Sequence, residues 1–190
     1  MLKDGMLLFH GSYIAVEHID LNKCMQGKDF GKGFYLTSDP SQARSFIRSS
    51  LYKAQMIGAV LPSQNYGFVS SYRFHSPKEG IRYYEFPDAE KEWLWFISLN
   101  RRRKLAEDLR QLINPNLFNA EIVVGKIAND TTNPVITTYL NGLYGSITSE
   151  NAVRTAINQL MPDHLSDQFC FLTESAISCL EFQEARKYVL

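Results

Sequence analysis

Two polar side chains of this chain stand where short apolar runs meet glycine. Leu7-Leu8-Phe9 leads into His10-Gly11-Ser12, and Tyr35 lies inside the stretch Lys28-Asp29-Phe30-Gly31-Lys32-Gly33-Phe34-Tyr35-Leu36-Thr37. An imidazole accepts or donates a hydrogen bond near neutral pH. A tyrosine offers an aromatic face and a hydroxyl. Glycine beside either one lets a ligand come close to the backbone. The pattern predicts a small-molecule cleft lined by two adjacent strands. It is not a dinucleotide fingerprint, because Gly27, Gly31 and Gly33 do not form GxGxxG and a strand rather than a helix follows them. A GxxxxGK[ST] phosphate loop is also absent from the sequence.

The elements that must position these residues follow from periodicity and turn signals. Met6–His10 and Gly33–Thr37 read as strands, and Ile14–Leu21 as a strand or an irregular arm. Ser38-Asp39-Pro40 starts a helix whose inner face carries Ala43, Phe46, Ile47, Ser50, Leu51 and Ala54. Phe68–His75 and Arg82–Phe86 are strands separated by a turn signal. Asp88 caps a helix carrying Trp93, Phe96, Ile97 and Leu105. Trp93 and Trp95 are two apart and cannot share a helix face, so one is expected in the core and the other partly exposed. Glu121–Ala128 is a central strand, Val135–Leu140 and Ala152–Leu160 are helices, and Gln168–Thr173 is a strand. Ser175–Leu180 is a short helix and Glu181–Val189 a last strand. Strands and helices alternate without a strict βαβ beat, which predicts an α+β fold in a single domain over residues 1–190.

Bulk properties narrow the function. Of 190 residues, 45% are hydrophobic and 21% charged, with 20 Lys+Arg against 20 Asp+Glu. Zero net charge gives the whole molecule no pull toward nucleic acid or membrane. The local run Arg101-Arg102-Arg103-Lys104 reads as a solvated helix C-terminus, with Arg101 as a phosphate or nucleic-acid contact as the subordinate reading. Cys24, Cys170 and Cys179 have neither disulfide nor zinc spacing and read as buried hydrophobes in a reducing, cytoplasmic setting. His18, His75 and His164 lack metal-ligand spacing, so no metal is expected. The N-terminal apolar patch is too short for a signal peptide, and no run is long enough to span a bilayer.

Taken in order, the motifs resemble the ADP-ribosyltransferase superfamily, in the branch whose triad is His, Tyr and Glu. His10-Gly11-Ser12 matches its first motif, and Gly31-Lys32-Gly33-Phe34-Tyr35-Leu36 its glycine-flanked second strand. Ser166–Leu172 occupies the place of the strand that carries the catalytic acid, with Gln168 where Glu is expected. Within the superfamily the chain looks closest to a bacterial family of uncharacterised domains, domain-of-unknown-function family 3990. The shared phrases are Phe9–Ser12, Asp29–Thr37, Trp93–Arg101, Val124–Asp130 and Gln168–Thr173.

The resemblance implies a split pair of small, mostly antiparallel sheets with flanking helices and NAD in the cleft between them. It implies cleavage of the nicotinamide–ribose bond of NAD through an oxocarbenium-like state, with ADP-ribose passing to a protein or nucleic-acid acceptor. By analogy His10, Tyr35 and Gln168 are the catalytic set. His10 bonds the adenosine ribose with help from Ser12, Gly11 presents its backbone to the carboxamide, and Tyr35 stacks on nicotinamide. Asp29, Phe30, Gly33 and Phe34 complete the NAD-binding set, with Phe30 and Phe34 as walls. A glutamine cannot supply the charge of a glutamate, and its loss costs about 2.7–4 kcal/mol by analogy with a lost preorganised donor. Asp167, Glu174 and Asp29 are the candidate substitute acids, Glu174 being disfavoured by its distance along the strand. The resemblance further implies a bacterial toxin with a neutralising antitoxin. The alternatives are a weak or inactive module binding NAD or ADP-ribose, an NAD glycohydrolase, or an RNA- or DNA-modifying enzyme.

Overall fold

A computed structural model describes residues 2–77, 80–127, 132–161 and 166–190, apart from the side chains of Arg103 and Leu105. His164 and the C-terminal end of the Glu121–Ala128 strand expectation lie outside the described residues. In chain order the elements are β1 (Leu7–Ser12), β2 (Phe34–Leu36), α1 (Pro40–Met56), β3 (Tyr66–Phe74), β4 (Tyr83–Glu85), α2 (Lys91–Arg101), α3 (Arg103–Ala106), α4 (Pro115–Phe118), β5 (Ile122–Lys126), α5 (Asn133–Leu140), α6 (Glu150–Leu160), β6 (Asp167–Phe171), α7 (Glu174–Ile177) and β7 (Leu180–Val189). The fold is α+β, with two small sheets that are mostly antiparallel. One sheet has the order β1-β3-β7 and the other β2-β6-β5-β4, and among the described residues only the β4–β5 pairing is parallel.

Strand alternation builds the layers. Leu8, Tyr72 and Phe74 from the first sheet pack with Phe34, Leu36, Ile122, Val124, Phe169 and Phe171 from the second, forming a core between the sheets. The outer face of the first sheet rests on α1, where Val69 meets Ala43 and Ile47. The outer face of the second sheet, carrying Val123 and Cys170, rests on α2, α5 and α6.

Several expectations are corrected. Phe46 is 37% exposed, because the buried stripe of α1 is the narrow one of Ala43, Ile47, Leu51 and Ala54. Trp93 and Trp95 are both buried, since α2 is covered on more than one side. Each indole finds a partner for its N–H: Trp93 Nε1 donates to the Lys126 carbonyl at 2.9 Å and Trp95 Nε1 to the Tyr139 hydroxyl at 3.0 Å. The N-cap of α2 is Glu90, and the Asp88 carboxylate instead accepts from the Ala89 N–H. The segment from Ile14 to Asp20 forms no strand. It is an arm pinned by the Val16 N–H to Ser70 Oγ at 3.0 Å and by the Tyr72 hydroxyl to the Val16 carbonyl. Cys170 and Cys179 are buried and Cys24 is half-buried.

Candidate functional site

The two sheets touch where β1 meets the end of β2. Phe9 and Thr37 exchange both backbone hydrogen bonds, at 2.8 and 3.0 Å. One residue further along β1 the strands fork, and the His10 side chain takes over the ladder. Its Nδ1 lies 2.8 Å from the Tyr35 carbonyl oxygen. A carbonyl only accepts, so Nδ1 bears the proton. Burial lowers the pKa of the imidazole, which favours the neutral ring. Nε2 is then a lone-pair acceptor, and no described residue bonds it. The ring rests on Phe34, with centroids 4.5 Å apart.

Tyr35 leaves β2 from the opposite face. Its register partner is Cys170 on β6, and Gln168 lies two residues further along the same face. The Tyr35 hydroxyl accepts from the Phe30 N–H at 2.9 Å and donates to the Gly31 carbonyl at 2.8 Å. Burial raises its pKa well above the usual value, so the phenol keeps its proton and clamps the glycine loop. His10 and Tyr35 therefore share β2 through the Tyr35 carbonyl, but their rings project from different sides of it.

Gln168 is buried, and its carboxamide Nε2 donates to Asp29 Oδ2 at 2.9 Å and to the Lys126 carbonyl at 3.2 Å. The other Asp29 oxygen takes Arg101, with Nε at 2.6 Å and Nη2 at 2.5 Å. Asn100 Nδ2 bonds the Asp29 carbonyl at 3.0 Å. The last two residues of α2 thus hold both ends of Asp29. Of the three substitute acids, Asp29 is the one in contact with Gln168. Asp167 points to the other face of β6 and pairs with Lys126 at 3.1 Å. Glu174 is exposed at the start of α7. A cleft of about 230 Å³ opens beside this cluster, lined by Gly27, Lys28, Asp29, Arg101, Arg102 and Asn133.

Other expected site residues take structural places. A Cβ on Gly11 would lie 1.7 Å from the Ala43 carbonyl oxygen of α1. One on Gly33 would lie 2.6 Å from Cys170 Sγ and 2.7 Å from the Phe171 carbonyl oxygen. At both positions the close approach that glycine permits is made by the protein itself. Phe30 is core, packed on Phe86 and Phe96, and Phe34 is core between the sheets, so neither walls an open pocket. Ser12 is buried on the same strand face as His10. Arg101, expected in solvent, is the ion-pair partner of Asp29; the signal for this was an acid in a glycine loop and an Asn-Arg pair ending an apolar helix. Among the described residues, no group of three or more His, Cys, Asp or Glu could hold a metal ion, and no helix is long and apolar enough to cross a membrane.

The fold and this cluster define an α+β double-sheet protein with a buried acid–amide–guanidinium site at a polar cleft. Residues 6–182 match the family described as "Protein of unknown function (DUF3990)", and the chain belongs to that family. No curated protein and no solved structure matches it.

Proposed function

We infer that the chain is an NAD-dependent ADP-ribosyltransferase in which Asp29 supplies the carboxylate that Gln168 lacks. One observation carries the reading: a buried acid lies 2.9 Å from the amide that stands at the expected place of the catalytic glutamate. Cleaving the bond between nicotinamide and ribose develops positive charge on the sugar. A preorganised carboxylate nearby stabilises that charge. Hydrogen bonds connect the site in series, from His10 to the Tyr35 carbonyl and from the Tyr35 hydroxyl to the loop at Phe30, next to Asp29. His10 offers Nε2 to a ribose hydroxyl at the fork of the sheets. The resemblance extends the reading to a bacterial toxin, cytoplasmic, with a macromolecular acceptor and an antitoxin partner.

A second reading, a module that binds NAD or ADP-ribose without turning it over, is favoured by the Arg101 guanidinium 2.5 Å from Asp29. That cation offsets the charge catalysis needs. Incubation of the full chain with labelled NAD and cell lysate separates the readings. Label in protein or nucleic acid supports the transferase. Label in free ADP-ribose marks water as the acceptor. Saturable NAD binding with no nicotinamide release establishes the module, and no binding at millimolar NAD removes both.

A further inference from the structure

Zero net charge over the whole chain hides an uneven distribution. Residues 40–78 contain no Asp or Glu, and they include Arg44, Arg48 and Lys53 on α1. Asp39, the N-cap of α1, lies about 25 Å from the far end of that helix at 1.5 Å per residue. Arg44 stacks on the Tyr188 ring, 4.8 Å from its centroid. Arg48 and Lys53 are exposed and make no ion pair among the described residues. The helix then runs into Met56-Ile57-Gly58-Ala59-Val60-Leu61-Pro62, a stretch without a polar side chain. Such a run is ordinarily buried. Here Met56 is 68% exposed, Ile57 81% and Leu61 73%, and Tyr52, one turn back on the outer face of α1, is 63% exposed. An exposed apolar patch of this kind marks an interaction site. The turn is firmly built. Gly58 takes the left-handed φ of +71°, its N–H donates to the Gln55 carbonyl at 3.1 Å, and the Ala59 N–H donates to the Ala54 carbonyl at 2.8 Å, which closes the helix end. Gln55 Nε2 ties down the returning chain by donating to the carbonyls of Pro62 and Gln64, each at 3.0 Å. These bonds fix the backbone of the turn while its apolar side chains stand outside.

We propose that this turn docks on an anionic membrane surface, where Met56, Ile57 and Leu61 enter the boundary between headgroups and acyl chains and Lys53 and Arg48 meet the lipid phosphates. Apolar surface at such an interface sinks about 5–10 Å. Lys53 and Arg48 lie about 5 Å and about 12 Å behind Met56 along the helix axis, so both reach headgroup depth once the turn is in. Tyr52, beside Lys53, has the ring and hydroxyl suited to that layer. Charge favours lipid over a second copy of the chain. Two copies meeting through the same patch across a two-fold axis would set Arg48 and Lys53 against their like, with no acid in residues 40–78 to match them. Nucleic acid would match the cations but leave the apolar side chains in water. The proposal does not depend on the NAD reading, since these residues belong neither to the cluster at Asp29 nor to the fork at His10.

The test is flotation of the full chain with phosphatidylcholine vesicles, with and without about 30% phosphatidylserine. Binding to the anionic vesicles is expected, with little to the neutral ones and a steep loss between about 0.1 M and about 0.5 M salt. Ile57→Ser combined with Leu61→Ser removes apolar contact at exposed positions and should weaken binding about tenfold or more. Arg48→Gln combined with Lys53→Gln should do the same. Leu143→Ser changes a residue that is 74% exposed in the turn after α5; it is the control and should leave binding unchanged. Thermal midpoints check that the variants fold, and the single variants Ile57→Ser and Lys53→Gln give the same comparison if a double variant does not. Absence of binding to anionic vesicles up to about 1 mM lipid overturns the proposal. So do equal binding to neutral vesicles, binding that ignores either double variant, and an equal loss in Leu143→Ser. Self-association without lipid that is lost in Ile57→Ser overturns it in favour of a second copy, and an oligonucleotide bound more tightly than vesicles through Arg48 and Lys53 overturns it in favour of nucleic acid.

Discussion

Gln168 and Asp29, 139 positions apart in the chain, are joined by a buried hydrogen bond from the carboxamide Nε2 to the carboxylate Oδ2. The contact draws together the glycine loop, the end of α2, the end of β5 and the start of β6. These are four of the five stretches that carry the family resemblance, so the shared phrases describe one place in three dimensions.

The ion pair is the first thing to test. In Arg101→Met the Asp29 carboxylate stays buried without its cation, and removing one partner of such a pair costs about 3–5 kcal/mol. Denaturant unfolding should show that loss. Adding Asp29→Asn should recover part of it, with a coupling of about 0.5–3 kcal/mol. Additive losses in the double variant would contradict the geometry.

The amide at position 168 faces two acceptors, Asp29 Oδ2 and the Lys126 carbonyl, and so must be a donor. Gln168→Glu restores the expected catalytic residue in name but sets a carboxylate against both. It should destabilise the protein by at least about 2 kcal/mol at neutral pH. The new carboxyl has a raised pKa in the folded state, so the penalty is small below its unfolded value of about 4.3 and grows as pH rises through it. Denaturant midpoints of variant and wild type should therefore diverge from pH 4 to pH 7. Parallel midpoints would mean that the amide has another orientation.

Gly33→Ala forces a Cβ to within 2.6 Å of Cys170 Sγ and 2.7 Å of the Phe171 carbonyl oxygen. The backbone contact cannot yield cheaply, and a loss above about 3 kcal/mol or failure to fold is expected. Gly80→Ala meets nothing within 4 Å and should change stability by no more than about 0.5 kcal/mol. Similar soluble yield and thermal midpoint for the two variants would remove the packing explanation of Gly33.

Burial lowers the pKa of His10 below its ordinary 6.5, so the unfolded chain takes up this proton first. The contribution to stability is complete above 6.5 and is lost as pH falls toward the folded value. The slope for one proton is at most about 1.4 kcal/mol per pH unit. His10→Gln keeps a donor for the Tyr35 carbonyl and does not titrate, so it should lose less stability than wild type between pH 7 and pH 5. Identical pH profiles would place the imidazole in solvent.

Much of the fold was legible because the patterns are local. The Asp39-Pro40 start of α1, the aromatic strand at Phe34–Leu36 and the alternation of Phe169 and Phe171 against Cys170 and Leu172 are each set by near neighbours. The site was legible only in part. Nothing local says that the rings of His10 on β1 and Tyr35 on β2 would lie on different sides of β2, because that depends on how β1 forks from it. Nor does a helix ending in Asn100-Arg101 reveal that it will close on Asp29 instead of solvent. The glycines carry two physical causes at once: tight packing of α1 on Gly11, and of β6 on Gly33, needs the same missing Cβ as a ligand would.

The central claim is that Asp29 is the acid of an NAD-cleaving site, and nicotinamide release from NAD by the full chain tests it most directly. The account predicts measurable release by wild type, a loss of about 10²–10³-fold in Asp29→Asn, and no change in Asp167→Asn, whose carboxylate lies on the other face of β6. No release by folded wild-type protein, or equal release by wild type and Asp29→Asn, would contradict it.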